Sequence, residues 1–239
     1  MNNKKRTARY WLSFIILAAL LVILFVWNVN AGSIHLSVGE ILNIIFRHQG
    51  DNTAYNIIWE IRLPRILAVI ILGGALSVSG FLLQTFFNNP IAGPFVLGIS
   101  SGAKLVVALL MIFFLSRSIS MGSAAMIIAA FIGSMISMGF VLLVAKKVHN
   151  MSMLVISGVM IGYICSAITD FVVTFADDSD IVNLHNWSLG SFSGMSWANV
   201  RVMAVVVLLT MVIVFFMSKP IGAYQLGEVY AQNMGVNIK

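Results

Sequence analysis

Apolar residues run through this chain in long blocks, and polar residues are confined to short breaks between them. A bilayer's hydrocarbon core is about 30 Å thick and takes about 20 apolar residues per helix. Six blocks reach roughly that length: residues 10–29, 66–87, 95–115, 121–145, 153–175 and 200–217. The pattern predicts an all-α chain, a polytopic transmembrane helical bundle. The third block is the weakest, because Ser100, Ser101, Gly102 and Lys104 interrupt its first half. The first follows basic residues and carries a small-x-small pattern ending at Ala31, as a signal peptide would. Its apolar stretch exceeds the roughly 7–15 residues of a signal core, and Trp11 and Trp27 bracket it like interfacial anchors. It is read as an uncleaved first helix.

Two segments between the blocks are too long for simple turns. In residues 30–65, Val38, Ile41, Leu42, Ile45 and Phe46 share one helical face, which predicts a short amphipathic helix lying on the outer membrane surface. Residues 176–199 carry Trp187 and Trp197, again consistent with the interface. Residues 1–239 thus read as a single transmembrane domain, with 30–65 as an outer amphipathic segment. No short internal repeat interrupts it.

Composition sharpens this picture. The chain is 60% hydrophobic and only 9% charged, where a soluble domain devotes roughly a quarter of its residues to charge. Its apolar surface must face lipid. Net charge is +6, and the basic residues cluster at the ends of apolar blocks: Lys4, Lys5, Arg6 and Arg9, then Lys146 and Lys147, then Lys219. A nucleic-acid partner would need a solvated basic face, and none is expected. Read by the positive-inside rule, the N-terminus is inside, 30–65 and 176–199 are outside, and 219–239 is cytoplasmic. Arg47, Arg62, Arg65, Arg117 and Arg201 fall outside, so the rule holds as a bias.

Enzymatic chemistry finds little to use. There is no phosphate-binding G-x-x-x-x-G-K-[ST] and no H-E-x-x-H. The four histidines are scattered without metal-ligand spacing. No catalytic set, cofactor or metal centre is expected. Asp177, Asp178 and Asp180 read as a solvated turn, and the single Cys165 as a packing residue. Only Lys104, Asp170 and Arg201 lie within apolar blocks, Asp170 and Arg201 each nearer an end than the middle. An ion-coupled secondary transporter, which buries ionisable groups in its spans, is the alternative; the leading expectation is transport powered by a partner.

Residues 60–104 carry the most specific pattern. Pro64 is expected to open a helix, where a missing N–H costs nothing. Gly73, Gly74, Ser77 and Gly80 thin that helix for close contact. Asn88, Asn89 and Pro90 stop it, Pro94 keeps the loop extended, and Ser100 or Ser101 is positioned to cap the next helix. The whole string resembles the FecCD/BtuC-type permeases of ABC importers. The match lies in Arg62-Leu63-Pro64-Arg65, Gly80 with Gln84, Asn89-Pro90-Ile91-Ala92, Pro94, Leu97-Gly98, Ser100 and Gly102-Ala103. Ile91 departs conservatively from the family's Leu, and Lys104 replaces a small or apolar residue. Residues 157–165 resemble the family's fifth helix, and Leu226-Gly227-Glu228, Ala231 and Met234-Gly235-Val236 resemble its L-G-E block.

The resemblance implies a transport subunit that is not itself an enzyme. It pairs with a second permease copy or paralogue and rests on a cytoplasmic ABC ATPase. A substrate-binding lipoprotein or periplasmic protein delivers the cargo outside a bacterial inner membrane. It assigns Leu226, Gly227, Glu228, Ala231 and Gly235 to coupling with the ATPase. Arg62 and Arg65 would dock the binding protein, or anchor to lipid phosphates. Gly158, Gly162 and Thr169 share a face with Cys165, which is either a pathway lining or a helix-packing stripe. Asn150, Met151 and Ser152 match the position of a cytoplasmic gate. An iron(III)-siderophore is the expected cargo, with haem or cobalamin open. The family has about ten spans of about 20 apolar residues each, against six here, so the chain is expected to be a fragment or a truncated product that does not transport alone.

Overall fold

The structure, a computed structural model, describes residues 3–31, 38–47, 52–115, 123–147 and 151–237. Their regular structure is helical: α1 (Asn3–Asn30), α2 (Val38–Arg47), α3 (Asn52–Asn56), α4 (Leu63–Phe86), α5 (Ile99–Leu115), α6 (Ser123–Ala145), α7 (Met151–Val173), α8 (Asp178–Leu189), α9 (Trp197–Phe216), α10 (Ser218–Tyr224) and α11 (Glu228–Asn233). Among the described residues, five helices are long and apolar enough to cross a membrane, namely α1, α4 with the residues before it, α6, α7 and α9. The predicted third span is the shorter α5, 17 residues long. It starts at Ile99 because the residues after Pro94 are used in a turn that ends on Gly98 at φ +71°. The chain divides into two units, residues 1–73 with 192–208, and residues 74–191 with 209–239.

In the first unit, Val29, Ile41, Ile44, Ala54, Ile58, Leu63 and Ile66 form a buried cluster, with Phe25, Ile45, Tyr55, Trp59 and Trp197 packed on it. The predicted amphipathic helix exists as α2. Its Ile41 and Ile44 are buried against protein, so its apolar face is not spread on the membrane surface. Each isoleucine buried this way contributes about 1.5–3 kcal/mol. Trp197 likewise packs on Trp59, ring centroids 5.3 Å apart, instead of standing free in the interface.

Pro64 does not open a helix. It lies inside a continuous helical run from Thr53 to Phe86, directly after a widened π-type turn over Ile57–Arg62. A proline within a helix removes one N–H and strikes the carbonyl four residues back. The widened turn absorbs that clash: the Leu63 N–H reaches back to the Ile58 carbonyl. At the π-type spacing Pro64, which has no N–H, stands where the donor to the Trp59 carbonyl would be. The Trp197 indole fills the gap, Nε1 donating to that carbonyl at 2.8 Å.

The second unit is built on α5, α6 and α7, which approach closely at glycines. A Cβ on Gly133 would collide with the Gly102 carbonyl oxygen, and one on Gly102 would fall within 2.6 Å of Ser137 Cβ. Two apolar clusters lie along these helices. One joins Phe87, Ala92, Leu97, Val141 and Leu154. The other joins Val107, Ala108, Met111, Ala129 and Leu184, with Trp187 packed on it. Residues 178–189 are thus a helix held down by Leu184, not a turn. Asp180, expected in water, is only 4% exposed in the first turn of α8, where a carboxylate faces the positive end of the helix.

Candidate functional site

The α4–α5 corner explains much of the signature string. α4 ends with paired backbone bonds, Asn89 N–H to the Gln84 carbonyl at 3.1 Å and Asn88 N–H to the Thr85 carbonyl at 3.2 Å. This is a Schellman cap, which needs a left-handed residue at its second-last position. Asn88 supplies it at φ +46°; asparagine is one of the few side chains that tolerate this region. The Asn89 side chain then accepts the Ile91 N–H at 2.9 Å, turning the chain into Pro90. Pro94 is not in an extended loop: Val96 and Leu97 both donate to the Gly93 carbonyl, at 3.1 and 3.2 Å, so Pro94 starts a tight turn. Gly98 caps α5, its carbonyl accepting the Gly102 N–H at 3.0 Å. Ser100 and Ser101 lie inside the helix, and Ser101 meets Ser166 of α7 at 3.4 Å. Buried Ser137 also donates to the Gly98 carbonyl, at 3.0 Å.

Gly158 and Gly162 face this corner. Cβ atoms there would lie 2.9 Å from Leu97 Cα and 3.1 Å from Gly98 Cα. Of the two readings left open by the sequence, the packing stripe describes this geometry. Thr169 is buried on the same helix and donates to the Cys165 carbonyl at 2.8 Å. Of the gate residues, Asn150 lies outside the described residues. Met151 begins α7, and Ser152 is exposed in its first turn.

The L-G-E block forms a helix–break–helix. α10 ends at Tyr224, and Gly227, at φ +114°, precedes α11 in a conformation that suits only glycine. α11 closes with a second Schellman cap: Val236 N–H to the Ala231 carbonyl at 3.0 Å and Gly235 N–H to the Gln232 carbonyl at 3.0 Å, with Gly235 at φ +81°. The spacing of Gly227, Ala231, Gly235 and Val236 is therefore that of one capped helical turn and a half. Ala231 is fully buried, while Leu226 and Val229 are 68% and 72% exposed, with Tyr230 and Met234 also exposed. Glu228 accepts from Tyr224 Oη at 3.1 Å. Partial burial, then the bond to and charge of Glu228, push the Tyr224 phenol above its ordinary range.

The two arginines point into the first unit. Arg62 Nη1 donates to the Val29 carbonyl in the last turn of α1, where a cation also suits the helix dipole. Arg65 Nη2 donates to the Ser193 carbonyl at 2.7 Å. Both side chains are half-buried. Sequence reasoning did not single out Thr85, Tyr224, Gln225, Gly133 or Ser137. Only the glycine among them left a signal, as a small residue within an apolar run.

Comparison with known proteins then places the chain. The model of the FecCD transport family matches residues 20–239. The chain belongs to the FecCD transport family. It is 32% identical to the hemin transport system permease protein HmuU of Yersinia pestis, over 99% of this chain and 70% of that protein. It is 34% identical to the vitamin B12 import system permease protein BtuC of Klebsiella pneumoniae, over 98% of this chain and 66% of that protein. The chain thus spans about two-thirds of these relatives' length. A solved structure, described as an inward-facing conformation of a metal-chelate type ABC transporter, superposes with a TM-score of 0.77 at 26% identity, covering 94% of this chain and 68% of that one. As a FecCD member the chain is a multi-pass protein of the bacterial inner membrane with the helical fold of ABC permeases.

Proposed function

We propose that this chain is the membrane-spanning subunit of an ABC importer for a bulky metal chelate, driven by a partner ATPase gripped through α10 and α11. The observation that carries the coupling reading is the side-chain division of α11. Ala231 is buried while Val229 and Tyr230 on this short helix, and Leu226 and Met234 flanking it, stand exposed, and a Schellman pair closes its C-terminal end. Apolar groups held rigidly outward are costly in water and suit a complementary groove. The N-terminus and the segment after Lys219 lie in the cytoplasm, in keeping with Lys5, Arg6, Arg9, Lys146 and Lys147.

The cargo is an iron(III)-siderophore, with haem or cobalamin as alternatives within the family; the named relatives carry hemin and vitamin B12, and all of these are bulky chelates. A second permease copy would meet α7 along its exposed apolar stripe of Met153, Ile156, Met160, Tyr163 and Phe171. Asn150, Met151 and Ser152 gate the pathway at the start of α7, Thr169 borders it, and the Gly158–Gly162 stripe fixes the helix in position. A substrate-binding protein docks outside at Arg62 and Arg65; such rim charges act mainly on encounter rate.

Co-purification with the co-expressed ABC ATPase tests the coupling reading. The wild-type chain should retain the ATPase, and Gly227→Val or Glu228→Lys should lose it without loss of the folded permease. Equal retention by all three would sink the coupling assignment.

A further inference from the structure

Thr85 and Phe86, in the last turn of α4, touch α10 and the break after it, and nothing above gives them a role. Gln225 Nε2 donates to Thr85 Oγ1 at 3.0 Å. The Tyr224 ring lies parallel to that of Phe86, centroids 6.5 Å apart and planes within 9°. Across the Gly227 break, Tyr224 is bonded to Glu228 at 3.1 Å, so the first turn of α11 is tied to the same point. Around these contacts lies a cavity of about 700 Å³, lined by Leu82, Thr85, Phe86, Leu154, Tyr224 and Glu228 among others. The segment is thus joined to α4 by discrete side-chain contacts with open space beside them. A joint of this kind lets the segment shift while keeping its grip on one place.

That place leads into the core. Phe86 meets Phe87 edge-on at 5.1 Å. Phe87 is 1% exposed and clusters with Leu97 and Leu154. Leu97 and Gly98 abut Gly158 and Gly162 of α7. The end of α4 is itself rigid, because the Schellman cap at Asn88 binds the Gln84 and Thr85 carbonyls. A displacement arriving at Thr85 cannot be lost in a fraying helix end.

We propose that Thr85 and Phe86 are positioning residues that receive movement of α10 and α11 and pass it to the α4–α5 corner and α7. The proposal rests on the coupling reading above and adds the receiving residues. Coupling of this sort is established by measuring energetic linkage, since adjacency alone does not demonstrate it.

The test is hydrogen exchange on the full chain, alone and in complex with its co-expressed ABC ATPase. ATPase binding is expected to slow amide exchange in residues 82–89 of the wild type. Thr85→Val and Gln225→Leu should keep the ATPase bound yet reduce that slowing about tenfold, the weight of one net hydrogen bond. Thr85→Ser, which keeps the hydroxyl, should restore it. The double variant should do no more than either single one, as for two partners in one contact. Undiminished slowing in the variants, or no slowing in a wild type that does hold the ATPase, overturns the receiver role and leaves the coupling reading intact. A variant that loses the ATPase overturns it too, because the contact then serves docking. A wild-type chain that never retains the ATPase takes down the coupling reading and this proposal together.

Discussion

The end of α4 and the end of α11 use the same backbone device for opposite purposes. Both close with a Schellman pair around one left-handed residue, Asn88 in the first and Gly235 in the second. After α4, Phe87, Ala92 and Leu97 turn inward and are buried to within 1%, while Ile91 and Phe95 stand exposed between them. Around α11 the side chains turn outward, and only Ala231 is buried. The cap fixes where a helix stops; the residues beside it decide whether that stop is a cornerstone or a contact surface. Most signature residues in the first region are therefore accounted for by folding, and most of those in the second stand exposed.

Substitutions can break this comparison in order of size. Gly98→Ala comes first. Its φ of +71° is hostile to a side chain, and a Cβ would meet the Gly158 carbonyl oxygen and the Gly162 nitrogen at 2.7 Å each. Backbone atoms cannot step aside as side chains can, so a loss of about 4–5 kcal/mol is expected, seen as failure to recover a monodisperse protein in detergent. Gly139→Ala, with open space around it, is the silent control. Next, Phe87→Ala should cost about 3–5 kcal/mol of thermal stability, while Val229→Ser should stay within about 0.5 kcal/mol and instead weaken ATPase retention. Comparable stability losses for the two would erase the distinction drawn above.

Gly235→Ala is smaller. Forcing a Cβ into the left-handed region costs about 1–2 kcal/mol, local to α11, so exchange at residues 228–236 should quicken while the α4–α5 corner is unchanged. The smallest effect is on pH. Tyr224 is neutral in its contact with Glu228 and its folded pKa is raised. Its contribution is thus complete below the unfolded value of about 10 and is lost as pH climbs through the raised one. Protection of α11 against exchange, taken relative to the intrinsic base-catalysed rate, should fall there in wild type but not in Tyr224→Phe.

Much of this was legible in the sequence because membrane spans announce themselves by length and apolarity alone. The spans around α1, α4, α6, α7 and α9 were read close to their bounds, and the L-G-E spacing pointed to α11. The misreadings share a cause, which is that local rules were applied where tertiary contacts decide. Pro64 has the look of a helix start, and only the widened turn and the Trp197 donor make a proline tolerable eleven residues after Thr53. Ile41 and Ile44 form an amphipathic face whether the cover is lipid or protein. The hydrogen bonds of Arg62 and Arg65 to the carbonyls of Val29 and Ser193 were likewise not legible, because those partners are remote in sequence. Thr85 and Gln225 lie 140 positions apart, and no periodicity relates them.

The central claim is that α11 is an exposed, cytoplasmic grip for an ATPase. The sequence has a single cysteine, Cys165, so a Val229→Cys variant in a Cys165→Ser background carries one reporter thiol. A membrane-impermeant maleimide should leave it unlabelled in intact cells, label it in inside-out vesicles, and be blocked there once the ATPase is bound. Labelling in intact cells, or labelling indifferent to the ATPase, would contradict the account.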